Sequence, residues 1–291
     1  MSDDPDFPSK WGSVAIIGMG LIGGSIGLAL RARHLAERVI GVGRNLERLQ
    51  LAVERGAADE ITTDYRAGLS SAQIVVICST VGNILETLPD LISHLRPNAV
   101  ITDVGSTKAE IVRRAGGYPY FVGGHPMAGS ERGGIEAATP TLFERATWAI
   151  TPHDKNAPEA IHAVQTLATQ LGAVTLTVSP EAHDAMVAIT SHLPHVLSSA
   201  LMRQASTTAH THPDTPRLAA GGFSDMTRIS ASSPEIWRDI CLSNREAVLA
   251  AIKSYRAELD TIEQAVSESD AAGIESFFAG GAEAKRSWGI R

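Results

Sequence analysis

Val14-Ala15-Ile16-Ile17-Gly18-Met19-Gly20-Leu21-Ile22-Gly23 decides how this chain is read. Four apolar residues in a row predict a strand covered on both faces rather than a half-exposed one. The glycine spacing that follows, G-x-G-x-x-G, opens a helix predicted over residues 21–33. In that context Gly18 permits a tight turn, Gly20 lets a pyrophosphate approach the backbone, and Gly23 brings helix and strand together. The helix N-terminus then faces the phosphates. Gly18, Gly20, Leu21, Ile22 and Gly23 are therefore candidate cofactor-binding residues. Ser79, just beyond the apolar run 73–77, is counted with them.

Working outward, short β-branched runs alternate with helical patterns. Strands are expected at 39–42, 73–77, 99–103, 120–123, 147–150 and 174–178, and helices at 46–55, 84–95 and 158–171. That alternation predicts an α/β fold, a Rossmann-type, doubly wound and mostly parallel sheet. Near Ser179-Pro180-Glu181 the pattern changes, and helices are expected at 182–208, 216–230, 234–266 and 270–288. The reading is thus a dinucleotide-binding domain at 10–178, then an all-helical substrate and dimerisation domain at 179–291. The second is small enough to be completed by another copy of itself.

The chain has 291 residues, 44% hydrophobic and 20% charged, which suits two compact cores. A net charge of -7 argues against a nucleic-acid partner, which would need a basic face. Cys78 and Cys241 lie far apart and read as reduced core thiols, and no metal-ligand spacing is present, so no metal is expected. The first ten residues carry no apolar signal core, and the apolar runs stop short of a membrane span; a cytoplasmic protein is expected.

The end of the second strand bears on the choice of dinucleotide. A carboxylate there would accept hydrogen bonds from a ribose 2′-OH, but the chain reads Gly41-Val42-Gly43-Arg44-Asn45. A glycine leaves room for a 2′-phosphate and Arg44 could pair with it, which favours NADP with NAD possible. Arg44 could instead stack on adenine or point into solvent.

Three segments bring polar residues to where a substrate would meet the nicotinamide. They are Asp103-Val104-Gly105-Ser106-Thr107-Lys108, the run Gly123-Gly124-His125-Pro126-Met127-Ala128-Gly129-Ser130-Glu131-Arg132-Gly133-Gly134, and Gly221-Gly222-Phe223-Ser224-Asp225-Met226-Thr227-Arg228. With Ser191-His192-Leu193-Pro194-His195 and Trp237-Arg238-Asp239, the chain resembles the prephenate/arogenate dehydrogenase family from about Val14 to beyond Asn244. The resemblance implies oxidative decarboxylation of a cyclohexadienol, prephenate giving 4-hydroxyphenylpyruvate and arogenate giving tyrosine. It implies His125 as proton acceptor, Ser106 linking that histidine to substrate and nicotinamide, and His195 in a supporting catalytic role. Arg228 would hold the ring carboxylate in a dry pocket, with Glu131 and Asp225 organising the site. The resemblance and the size of the helical half also imply a homodimer. Glu131 favours prephenate, whereas NADP use pulls slightly toward arogenate.

His192 reads as structural, His210 and His212 as solvated, and Trp237 as a residue packed between helices. A β-hydroxyacid-type dehydrogenase is the nearest rival, but it would call for a lysine where His192 and His195 stand. A dinucleotide-binding sensor without turnover is the rival from another class.

Overall fold

The structure is a computed structural model that describes residues 9–129 and 133–289. It divides into two compact units, Met1–Arg245 and Glu246–Arg291.

In the first unit, β1 (Trp11–Ile17), β2 (Ala36–Val42), β3 (Glu60–Thr62), β4 (Ile74–Ile77), β5 (Val100–Asp103), β6 (Phe121–Pro126), β7 (Thr147–Thr151) and β8 (Val174–Thr177) form one eight-stranded sheet. Its order is β3-β2-β1-β4-β5-β6-β7-β8. All neighbours run parallel except β6 and β7. The chain reverses direction across the sheet between β1 and β4, and in such sheets ligands settle outside the carboxyl ends of the strands at that switch.

The apolar run that opened the sequence reading is buried on both sides. Val14 and Ile16 join one core cluster, while Ala15 and Ile17 join the other. The first cluster is closed by α1 (Leu21–Ala32), α2 (Leu46–Glu54) and α6 (Pro158–Gln170). The second is closed by α3 (Tyr65–Leu69), α4 (Val81–Ser93) and α5 (Ala109–Arg114). Each large side chain so buried contributes about 1.5–3 kcal/mol. α1 leaves no room for side chains at three glycines, since a Cβ at Gly23 would meet the Gly18 carbonyl and Ile16 of β1, and one at Gly24 would meet Ile135. A Cβ at Gly27 would collide with the carbonyl oxygen of Ala57.

The helical continuation departs from the expected pattern in three places. Residues 182–208 were expected as one regular helix. The chain instead runs α7 (Pro180–Val187), a π turn (Ala188–His192) and α8 (Leu193–Thr211). Pro194 explains it: proline has no N–H to give and its ring crowds the carbonyl four residues back, so the helix widens just before it. Residues 216–230 hold only α9 (Gly221–Thr227) between two 3-10 turns, Thr215–Leu218 and Arg228–Ala231. The expected helix 234–266 is interrupted at Asn244, so it becomes α10 (Pro234–Ser243) and α11 (Arg245–Ser267). Asn244 leaves helical geometry because its side chain is buried and donates to the carbonyl of Asp184 at 2.8 Å.

By length and composition Pro180–Thr211 could cross a membrane, which corrects the expectation that no stretch reaches that length. It carries buried His183, Asp184 and His192, whose bonds to neighbouring elements are described below. In the second unit, α11 is followed by α12 (Ala271–Trp288), capped by Asp270 and ended by Gly289 in the left-handed region.

Gly27→Ala should lower stability by about 1–3 kcal/mol through overpacking against residue 57. Urea unfolding should show a lower midpoint with an unchanged slope.

Candidate active site

The glycine turn is built as a phosphate cradle. Gly18 has φ +93, and a Cβ there would lie 2.7 Å from the carbonyl oxygen of Cys78. A Cβ at Gly23 would strike the carbonyl of Gly18. Gly20 differs, since nothing lies within 4 Å of where its Cβ would be; that space is open. Gly20 is also the N-cap of α1 and has no side chain to occupy the first-turn amides, and no acidic residue precedes them in that turn. Leu21 and Ile22 open the helix and are half-buried.

A groove of about 480 Å³ runs over this turn, lined by Gly18, Gly20, Arg44, Arg48, Tyr65 and Ser79 among others. The Ser79 hydroxyl is buried without a hydrogen-bond partner, as a polar atom waiting for a ligand would be. These features fit a dinucleotide. At the β2 end, Arg44 and Arg48 are exposed, and Asn45 accepts the Arg48 amide at 2.9 Å to cap α2. Among the described residues the carboxylate lining the groove is Glu136, on the 3-10 turn Ile135–Ala137 rather than at the end of β2.

Along the same strand-end edge the order is Arg44 after β2, Gly18 after β1, Ser79 after β4, Ser106 after β5 and His125 within β6. From β1 to β6 this is three strand spacings, about 14 Å.

His125 pairs with Ala149 in the antiparallel β6–β7 ladder and is 9% exposed. Burial pushes its imidazole well below the ordinary value, with His183, Lys108 and His192 adding repulsion. It is a neutral ring. Its Nδ1 lies 2.9 Å from Nε2 of His183, whose Nδ1 lies 2.8 Å from Oδ1 of Asp184. The Asp184 carboxylate also accepts the amides of Lys108 at 2.7 Å and Ala109 at 2.9 Å.

Ser106 is half-buried in the loop between β5 and α5. That loop is held from both ends. Asp103 accepts the Gly105 amide at 2.8 Å and the Gly124 amide at 3.2 Å. Lys108 is fully buried, paired with Asp103 and donating to the Gly124 carbonyl at 2.9 Å. Burial draws the lysine down and Asp103 pushes it back up. Thr107 meets the Ser243 hydroxyl of α10 at 3.0 Å.

His195 stacks on Trp237 with centroids 3.7 Å apart, and its Nδ1 faces the Ser191 carbonyl at 2.9 Å. Burial lowers its pKa, and the Arg228 guanidinium lowers it further, which makes those two side chains neighbours. His192, expected to be structural, lies beside this group with its Nδ1 3.2 Å from the side-chain amide nitrogen of Asn244. It is fully buried, its ring lies edge-on to Trp237, and burial pushes it down to about 4. His125, His192, His195 and Arg228 therefore form a continuous series of electrostatic neighbours. Arg228 and Asp225 are exposed, so the dry pocket expected round the guanidinium is not seen in this chain. Glu131 lies outside the described residues. His210 and His212 are exposed, far along α8 and beyond it. Among the described residues no cluster of His, Cys, Asp or Glu is placed to hold a metal ion. Cys78 is held high by burial, an unreactive thiol.

Sequence reasoning missed His183 and Asp184. They are adjacent on a helix, where side chains point about 100° apart, so no periodic pattern marks them as partners. It quoted Lys108 without giving it a role.

Comparison with known proteins bears on this arrangement. The family model described as prephenate dehydrogenase, nucleotide-binding domain, matches residues 26–177, and that for the prephenate dehydrogenase dimerization domain matches 179–279. Prephenate dehydrogenase of Bacillus subtilis (strain 168) is 36% identical over 271 residues, covering 91% of this chain and 73% of the relative. A solved prephenate dehydrogenase from A. aeolicus, in complex with hydroxyphenyl propionate and NAD+, superposes with a TM-score of 0.89 at 32% identity, covering 96% and 98% of the two chains. The Synechocystis arogenate dehydrogenase superposes with a TM-score of 0.82 at 32% identity, covering 95% and 99%.

Lys108→Met should destabilise the chain by about 3–5 kcal/mol, because it strands a buried carboxylate. Chemical denaturation measures this, and a loss under 1 kcal/mol would show that the amides alone satisfy Asp103.

Proposed function

The chain belongs to the prephenate dehydrogenase family, and from that premise we propose that it converts prephenate to 4-hydroxyphenylpyruvate with His125 as the proton acceptor. The observation that carries this is a buried imidazole, kept neutral, on the strand-end edge that begins at the glycine turn.

Gly18, Gly20, Gly23 and Ser79 would hold a nicotinamide dinucleotide, which would supply the hydride acceptor for the ring hydrogen beside the 4-hydroxyl. As that hydride leaves, the hydroxyl proton passes to His125, a transfer that typically contributes about 10²–10⁴-fold. The bond to the ring carboxylate then breaks, carbon dioxide departs, and the electron pair left behind aromatises the ring. The ring oxygen is now a phenolate, and the proton on His125 returns to it. A dianionic substrate thereby gives a monoanionic product and carbon dioxide, with no net proton released. Ser106, on its tethered loop, links His125 to the substrate hydroxyl. His195, braced by Trp237, supports the same end of the site. Arg228 attracts the ring carboxylate with a fork suited to two oxygens. Asp225 and Glu131 organise the approach to it.

We assign the dinucleotide-binding role to 10–178 and the substrate and dimerisation role to 179–291, a division supported by the separate family models on either side of residue 178. A homodimer is supported by the second model's description and by the apolar groove of Met202, Ala205, Ala209, Leu218 and Phe223. For the cofactor we favour NADP over NAD, because β2 ends in Gly43-Arg44-Asn45 with no carboxylate, and Arg44 and Arg48 both line the groove. Arogenate is the second reading, favoured by the likeness to the Synechocystis enzyme.

His125→Asn should lower kcat by about 10²-fold or more with the fold retained. In the unaltered enzyme the acid limb of kcat/KM should fall below the ordinary histidine value of about 6.5. The sign for stability follows: the buried His125 and His192 rings take up protons more readily unfolded than folded. Stability is therefore lost as pH drops below about 6.5 toward 4.

Steady-state kinetics with prephenate and arogenate against NADP and NAD should rank prephenate with NADP first. Arg44→Ala should then cut kcat/KM for NADP at least tenfold and leave that for NAD within about threefold. Equal losses with both cofactors would remove Arg44 as a 2′-phosphate contact.

A further inference from the structure

His125 has two ring nitrogens, and only an unprotonated one facing the substrate can take its proton. Its Nδ1 is spent on His183, so the substrate-side atom must be Nε2. Whether Nε2 carries a hydrogen is decided two residues away. The Asp184 carboxylate has three donors aimed at it: the Lys108 amide, the Ala109 amide and the His183 ring. A carboxylate only accepts. His183 must therefore carry its hydrogen on Nδ1, and in the neutral ring its Nε2 is a bare acceptor. That acceptor requires the hydrogen of His125 to sit on Nδ1, which leaves Nε2 of His125 bare. The three groups are 9%, 2% and 4% exposed, so water does not compete for these bonds.

We propose that His183 and Asp184 are positioning residues that set the tautomer of His125 and thereby make it a base. The inference rests on the proton-acceptor role given to His125 above. When His125 takes the substrate proton on Nε2, the new positive charge is shared through Nδ1–H to His183 and faced by Asp184. This proton transfer breaks the substrate O–H bond and forms the N–H bond on Nε2, with no proton moved within the triad itself. Asp184 has a second duty in the same place. Its bonds to residues 108 and 109 fix the loop that carries Ser106, so one carboxylate orients both the base and the group beside it. The other charged or titratable groups facing the two rings are Lys108, paired with Asp103, and His192 from the π turn.

In Asp184→Asn the NH₂ must face either the Ala109 amide or the Oδ1 place that His183 Nδ1 shares with the Lys108 amide, so one backbone donor is stranded in either orientation and the negative charge facing the rings is gone. A carboxylate also orients a catalytic imidazole in serine proteases, where its amide replacement leaves the wrong tautomer. His183→Gln keeps an acceptor toward His125, whereas His183→Leu has none.

The test reads the ring nitrogens directly, by ¹⁵N–¹H correlation of the full-length protein labelled at histidine, with His125→Asn to assign the signals. The hydrogen of His125 should appear on Nδ1 in the unaltered protein, without substrate and whatever the substrate is. A hydrogen on Nε2 overturns the proposal even if prephenate is turned over, whereas turnover of some other substrate leaves the tautomer result standing. Asp184→Asn, which removes the charge that faces the new imidazolium, should lower kcat about 10²-fold while KM changes less than threefold. His183→Gln should retain at least tenfold more kcat than His183→Leu, and equal activity in those two also overturns it. If Asp184→Asn fails to fold, the unaltered protein and the His183 pair still decide the matter.

Discussion

The Asp184 carboxylate is the contact on which the rest of the site depends. It projects from the first helix after the sheet and accepts the amides of Lys108 and Ala109, where the loop after β5 enters α5. Backbone amides at a helix start have no partner within the helix, so an external carboxylate there is both satisfied and satisfying. The same group accepts from His183, which reaches His125 in β6. Its own backbone carbonyl takes the Asn244 amide, which forces the break between α10 and α11. A single residue thus joins three pieces of chain distant in sequence.

That joining explains why the compact unit extends to residue 245 although the secondary structure changes near 178. Asp184, Ser243 and Asn244 all make polar contacts that cross or brace the junction. Close approach assists: Gly82 near the start of α4 leaves no room for a Cβ beside the carboxylate of Asp239. Buried polar groups of this kind specify one arrangement, since any slip leaves a donor or acceptor unpaired. The price is strictness, and the buried Lys108–Asp103 pair imposes it again at the other end of the loop.

Much of the sheet half was legible because its signals are local. The run 14–17, the glycine spacing and the apolar runs at 74–77 and 99–103 each announce themselves within ten residues. β3 escaped notice because three residues cannot show an alternation, and α3 and α5 span only five and six. His125 and Ser106 were found because they follow strands at the edge where ligands gather. His183 and Asp184 were not, because their partners lie in other elements and their helix gives no periodic clue. The widening of the helix at His192 was missed, although Pro194, two residues further on, is its sign.

The π turn has a consequence for how the two helices around it can vary. One extra residue in a helical turn offsets everything downstream by about 100° relative to an unbroken helix. The face of α7 that carries His183 and the face of α8 that carries His195 are therefore in different registers. Both reach the site only because the surplus residue lies between them. Shortening that turn by one residue, even a small one such as Ala188, would wheel His195 off its Trp237 platform. The length of the segment, as much as its composition, is part of the site.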